Sequence, residues 1–113
     1  MEPRVDRRRY ERVRLGGAAV LIVDPRHGVI SSRGHLVDLA EGGCQLRLRS
    51  RVEQNVAGKV RLELAGKQVW FPVITRWVRC ELDGWTVRCA FEHLTNKKTD
   101  ALRTALFDLS LSD

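Results

Sequence analysis

Residues Lys59–Glu92 read KVRLELAGKQVWFPVITRWVRCELDGWTVRCAFE, and this stretch decides the fold. Val60, Leu62 and Leu64 alternate with Arg61 and Glu63, so Lys59–Leu64 reads as a half-buried strand. Ala65-Gly66-Lys67 supplies a hairpin turn. Gln68–Cys80 is a long strand rich in Val, Ile, Trp and Phe, and Pro72 inside it predicts an edge position or a bulge. Asp83-Gly84 marks a second hairpin, which leads into Trp85–Glu92. There Trp85, Val87, Cys89 and Phe91 share one face, and Thr86, Arg88 and Glu92 mostly take the other.

The same period extends upstream and stops downstream. Ala18–Val23 is an apolar strand ended by Asp24-Pro25. Pro25–Arg33 reads as a loop, His35–Leu39 as a short strand and Gln45–Arg49 as another, with the sharp turn Glu41-Gly42-Gly43 between the last two. After the final strand, Leu102, Leu106 and Leu109 recur at helical spacing, with Thr95 or Asn96 placed to cap the start. Phe107 lies off that stripe and is a candidate protein-contact residue. The reading is all-β: about six antiparallel strands, which suggest a small barrel without open edges, and one C-terminal α-helix. Residues 1–14 form a flexible Arg-rich arm, and residues 15–113 form the barrel domain with its helix.

Composition limits the function classes. The chain has 113 residues, 43% hydrophobic and 30% charged, which suits one soluble globular domain. Net charge is +6, and 16 of the 20 basic residues are Arg, whose guanidinium makes forked hydrogen bonds and stacks on flat rings. The longest uncharged stretch, Leu15–Val23, is too short to cross a bilayer, and the charged N-terminus carries no secretion signal. Cys44, Cys80 and Cys89 are odd in number and lack CxxC spacing, so they read as small core or sheet residues in a reducing cytosol. His27, His35 and His93 are scattered and form no zinc spacing with them. No Ser-His-Asp set or Walker loop is visible, so the chain does not read as an enzyme, and no cofactor is called for.

Two segments carry recognition chemistry. Arg7-Arg8-Arg9, with Arg12 four beyond Arg8, is either a solvated basic tail or a clamp for phosphates and base edges. Asp38-Leu39-Ala40-Glu41-Gly42-Gly43 is either an ordinary turn or part of a guanine site. In the second case Asp38 would accept from the guanine N1–H and N2–H₂ edge, and the glycines would let a ligand approach the backbone.

In this order, the RxxxR of Arg8–Arg12 and the DxAxxG of Asp38–Gly43 resemble the PilZ domain family of bacterial cyclic di-GMP receptors. The resemblance spans nearly the whole chain. Arg8-Arg9-Tyr10-Glu11-Arg12-Val13 resembles the family's opening segment. Residues Gly34–Gly43 resemble its second strand and turn, and Arg88-Cys89-Ala90-Phe91 its last strand. It implies a six-stranded antiparallel split barrel with a C-terminal helix. It also implies that Arg8 and Arg12 hold phosphates and guanines while Asp38 and Gly43 complete the site. A basic residue at Arg7 goes, in the family, with two intercalated ligand molecules, and Arg9 would add a phosphate contact. The family serine is Ala40 here, which removes one ligand hydrogen bond.

The implied function is a non-catalytic, cytoplasmic second-messenger receptor. It would bind cyclic di-GMP and signal to a protein effector by ordering the arm, with no membrane insertion. Two alternatives stand beside it. Ala40 suggests a PilZ-like adaptor that binds no nucleotide. The net charge and small barrel suggest, less strongly, a general RNA or single-stranded DNA binder, so nucleic acid is the disfavoured partner. Alternating positions make Trp70, Phe71, Trp77, Trp85 and Phe91 core or sheet-surface residues. A Trp on the outer face beside the arm would stack on a base.

Overall fold

The structure, a computed structural model, describes residues 17–23, 30–64 and 66–111, with side chains through 107. The arm, and with it Arg7, Arg8, Arg9 and Arg12, lies outside the described residues, as do Asp24-Pro25 and His27. Six strands follow one another: β1 (Ala18–Val23), β2 (Ile30–Ala40), β3 (Gly43–Leu48), β4 (Ala57–Leu64), β5 (Lys67–Glu81) and β6 (Gly84–Phe91). A helix, α1 (Asn96–Leu111), ends the chain. Every strand pairing is antiparallel, in the order β1-β2-β3-β6-β5-β4, and the β1–β4 ladder closes the barrel.

Closure makes the period-2 alternation decisive, because one face of each strand lines an interior that must be filled. Leu21, Leu46, Val60, Leu62, Phe71 and Val87 fill it and are fully buried. Phe71 meets Phe91 at 5.0 Å between ring centroids. Cys44 and Cys89 are register partners on β3 and β6 and are buried, whereas Cys80 is an exposed sheet residue. The Cys89 thiol, hydrogen-bonded to Cys44, pushes the Cys44 pKa well above its ordinary value, and burial adds to the rise.

Three details differ from the sequence reading. Ile30–Arg33, expected in a loop, is strand and pairs with Val20–Val23. Ser31-Ser32 has turn-like composition, but the Ser32 hydroxyl is buried, donates to the Ser50 carbonyl (3.1 Å) and accepts the Ser50 N–H (3.2 Å). That satisfies the hydroxyl inside the structure. Pro72 lies in neither an open edge nor a bulge. Its carbonyl accepts from the Glu92 N–H (2.9 Å) just where β6 ends, so its missing N–H falls at the end of that ladder. The hairpin expected at Asp83-Gly84 forms, but its two connecting residues are Leu82 and Asp83.

Thr95 is the helix cap: its hydroxyl accepts the Lys98 N–H (3.2 Å). Leu102, together with Ala105, is buried against the core, and Phe107 is exposed. Arg103 reaches Glu41 at 3.1 Å, tying the helix to the β2–β3 turn. Both partners are largely exposed, so this pair contributes only ~0–1 kcal/mol.

Candidate functional site

Two β-bulges build the site. Leu36 and Leu39 both face the core, although strict alternation would pair Leu36 with Asp38. The register shift between Leu36 and Asp38 inserts Val37 and turns Asp38 outward. On β5, Val73 and Thr75 face inward, and the shift between Thr75 and Trp77 does the same for Trp77. Without these two insertions both side chains would point into the core.

The ladders then bring the two re-aimed residues into one row. Asp38 pairs with Gln45, Gln45 with Arg88, and Arg88 with Trp77. Three strand spacings separate the ends, about 14 Å. The Arg88 Nε–H donates to the Gln45 Oε1 at 3.1 Å. The Arg88 guanidinium lies 4.8 Å from the Trp77 ring centroid, and that of Arg79 lies 5.0 Å from it. Arg79 also pairs with Glu81 (3.0 Å), whose carboxylate accepts the Thr86 hydroxyl at 2.7 Å. The Thr86 and Arg79 hydrogen bonds lower the Glu81 pKa. The next row, Ala40, Gly43 and Ala90, is small and makes a flat shelf beside the polar one. The surface therefore offers a carboxylate acceptor at one end, a ring with two guanidiniums at the other, and the Gln45 amide between them. That chemistry suits a molecule with amide-like donors, flat rings and negative charge.

The two glycines of the turn have different reasons to be there. A Cβ on Gly43 would sit 2.1 Å from the Cys89 carbonyl oxygen, so close strand approach already requires glycine. A Cβ on Gly42 would meet nothing within 4 Å, and only its carbonyl is engaged, by the Phe91 N–H (2.9 Å). Gly42 thus leaves accessible backbone, whereas Gly43 is explained by packing. Ala40 is exposed beside them.

Of the expected site residues, the structure brings Asp38, Ala40, Gly42 and Gly43 to one surface, and the arm's arginines lie outside the described residues. Gln45, Arg79 and Arg88 join the surface although nothing in the sequence singles them out, and the structure distinguishes Trp77 from the other tryptophans. No signal in the sequence marks Trp77 either, because the bulge that turns it outward inserts one residue without changing composition. One backbone bond locates the arm's attachment: the Leu36 N–H donates to the Gly17 carbonyl at 3.0 Å, two residues from Asp38. Among the described residues no group of His, Cys, Asp or Glu could hold a metal ion, and no helix is long and apolar enough to cross a membrane.

Comparison with known proteins places the chain in a family. No curated protein sequence matches the chain. Among solved structures, MrkH of K. pneumonia is similar at 18% identity and a TM-score of 0.67, over 89% of this chain and 48% of that one. The PilZ domain of CeSA from a cellulose-synthesizing bacterium matches at 12% identity and 0.61, over 87% and 96%. YcgR from Escherichia coli, solved in complex with c-di-GMP, matches at 12% and 0.66, over 84% and 42%. The chain thus spans about half the length of MrkH and YcgR and nearly all of the CeSA domain. At these identities the likeness speaks for the fold. The family model for the PilZ domain matches residues 6–108, and with the closed six-stranded barrel and single C-terminal helix already described, the chain belongs to the PilZ domain family.

Proposed function

We propose that this PilZ domain is a non-catalytic receptor for cyclic di-GMP. The observation that carries the reading is the Gly17–Leu36 hydrogen bond, which attaches the arginine arm beside Asp38. Arg12 is five residues from Gly17, so it lies within about 18 Å of that anchor. Arg8 and Arg12 can therefore close over a ligand held by Asp38 and the Gly42 backbone, with Arg7 and Arg9 adding charge. Trp77, flanked by Arg79 and Arg88, offers a stacking surface for a base at the other end of the row. In this reading an ordered arm presents a new surface to a protein effector in the cytoplasm. An intercalated pair of ligand molecules is the stoichiometry that Arg7 favours.

Ala40 supports a second reading, an adaptor that binds no nucleotide. A hydrogen bond to a charged group contributes ~1.5–3 kcal/mol, so its loss costs about ten- to a hundredfold in affinity. The arginines and Asp38 outweigh that loss in the receptor reading. Calorimetry with cyclic di-GMP, and with GTP as control, separates the two. The receptor reading expects saturable binding that falls about ten- to a hundredfold in Asp38→Ala and rises in Ala40→Ser. Absence of binding in both the native chain and Ala40→Ser leaves the adaptor.

A further inference from the structure

A second basic surface lies outside the site just described, on the β1, β2, β3 and β4 side of the barrel. Arg33, Arg47, Arg49 and Arg61 line one open groove of about 570 Å³ with His35, and Asp83 is the one carboxylate among its lining residues. The ladders explain the crowding. Arg61 pairs with Val20, and Val20 with Arg33. The Arg49 N–H donates to the Arg33 carbonyl at 3.0 Å, which puts those two on adjacent strands. Like charges on neighbouring strands oppose folding, so this arrangement is a cost without a counter-charge. Asp83 occupies only Arg47, through its NH1 at 2.9 Å. The Arg47 Nε is buried with no protein hydrogen-bond partner. Glu63, exposed and two residues beyond Arg61 on the same strand, limits the patch at that edge.

The groove does not end at Arg61. That guanidinium lies 5.8 Å from the Trp70 ring centroid, and Trp70 pairs with Arg61 across β4–β5. Trp70 also lines a second open depression of about 810 Å³ together with Ile22, Pro72, Lys59 and Lys98. The Arg61–Trp70 stack is thus the ridge between the basic groove and a mainly apolar depression that carries Lys59 and Lys98. From Arg49 to Trp70 the track crosses four strand spacings, about 19 Å. The floor is bare at Gly34, where a Cβ would strike the Arg47 carbonyl.

We infer that this track binds a single-stranded nucleic acid, with Arg33, Arg49 and Arg61 on successive phosphates and Trp70 under a base. An acidic peptide would use the cations, but it would have no use for a guanidinium-stacked indole set between them. An open, cation-lined path with interspersed flat rings is the arrangement that holds single strands without sequence preference. The inference reverses the disfavoured place that nucleic acid held in the sequence reading, and it stands independently of cyclic di-GMP binding.

The test is fluorescence anisotropy with labelled oligo(dT) and oligo(rU) of about twelve nucleotides, within the ~4–16 that one small barrel covers. Saturable binding at low salt is expected, weakening steeply as salt rises. Combining Arg33→Glu with Arg61→Glu should reduce affinity at least about tenfold and flatten the salt dependence by ~0.7 for each phosphate no longer neutralised. Trp70→Leu should weaken binding about tenfold with the salt slope unchanged, whereas Trp70→Phe should retain most of it. Asp38→Ala should leave oligonucleotide binding intact, which separates this site from the cyclic di-GMP reading. Photocrosslinking of a bromouridine oligonucleotide to the native chain should label the β4–β5 peptide containing Trp70, and this readout needs no variant to fold. No saturable binding at low salt, a label on the β2–β3 turn instead, or inorganic polyphosphate bound equally well by native and Trp70→Leu chains while both bind the oligonucleotide alike, would overturn the inference.

Discussion

A methyl group on Gly43 would lie 2.1 Å from the Cys89 carbonyl oxygen, and the atoms it meets are all β6 backbone, which cannot swing aside as a side chain could. Gly43→Ala should therefore cost ~1–3 kcal/mol through overpacking, read as a lower urea midpoint with an unchanged slope. Gly42→Ala faces open space at a backbone angle outside the left-handed region, so it should leave the midpoint within ~0.5 kcal/mol. If cyclic di-GMP touches this turn, Gly42→Ala is the variant that loses affinity without losing stability. Equal destabilisation by both substitutions would contradict the assignment. The residue types of this turn were legible in the sequence, but the division of labour between its glycines was not. It depends on β6, a strand some forty residues away, and on which carbonyl that strand presents.

The same distinction between residue and aim holds for the strands. Alternation gives the six strands and the closing helix because burial on one face writes itself into the sequence at period 2 or 3.6. A bulge adds a single residue and leaves no composition signal, so Asp38 and Trp77 could be identified but not oriented. Ile30–Arg33 escaped for a related reason: Ser32 is polar, yet it is buried by a long-range bond to Ser50. The β5 bulge has its own support. Thr75 is fully buried, and its hydroxyl donates to the Glu53 carbonyl at 2.6 Å and accepts the Val56 N–H at 3.0 Å. Thr75→Val keeps the shape but strands a buried N–H and a carbonyl, so it should cost ~1–3 kcal/mol. If the bulge positions Trp77, the same variant should also weaken ligand binding, although Thr75 faces away from the surface. A stability loss with undiminished affinity would separate Thr75 from the site.

At the scale of the whole molecule, charge and topology act together. The net charge is +6, and the first fourteen residues hold six arginines against three acids. That segment joins the barrel at Gly17, beside a surface where Arg79 and Arg88 already flank Trp77. Like charges oppose closure of the arm onto that surface. In the receptor reading a ligand with two phosphates reverses the sign of the interaction, and Asp38 would fix where such a ligand sits. Arm ordering should then be linked to occupancy, since binding to the closed form shifts the equilibrium by the difference in affinity between the two forms. Hydrogen exchange measures this directly. Amides of residues 4–14 should gain protection as cyclic di-GMP saturates, those of β4 and β5 should not change, and Asp38→Ala should shift the gain to about ten- to a hundredfold higher ligand concentration. Protection confined to the β2–β3 turn, with the arm exchanging equally in both states, would mean that the ligand binds without the arm. Signalling through an ordered arm would then have no physical basis.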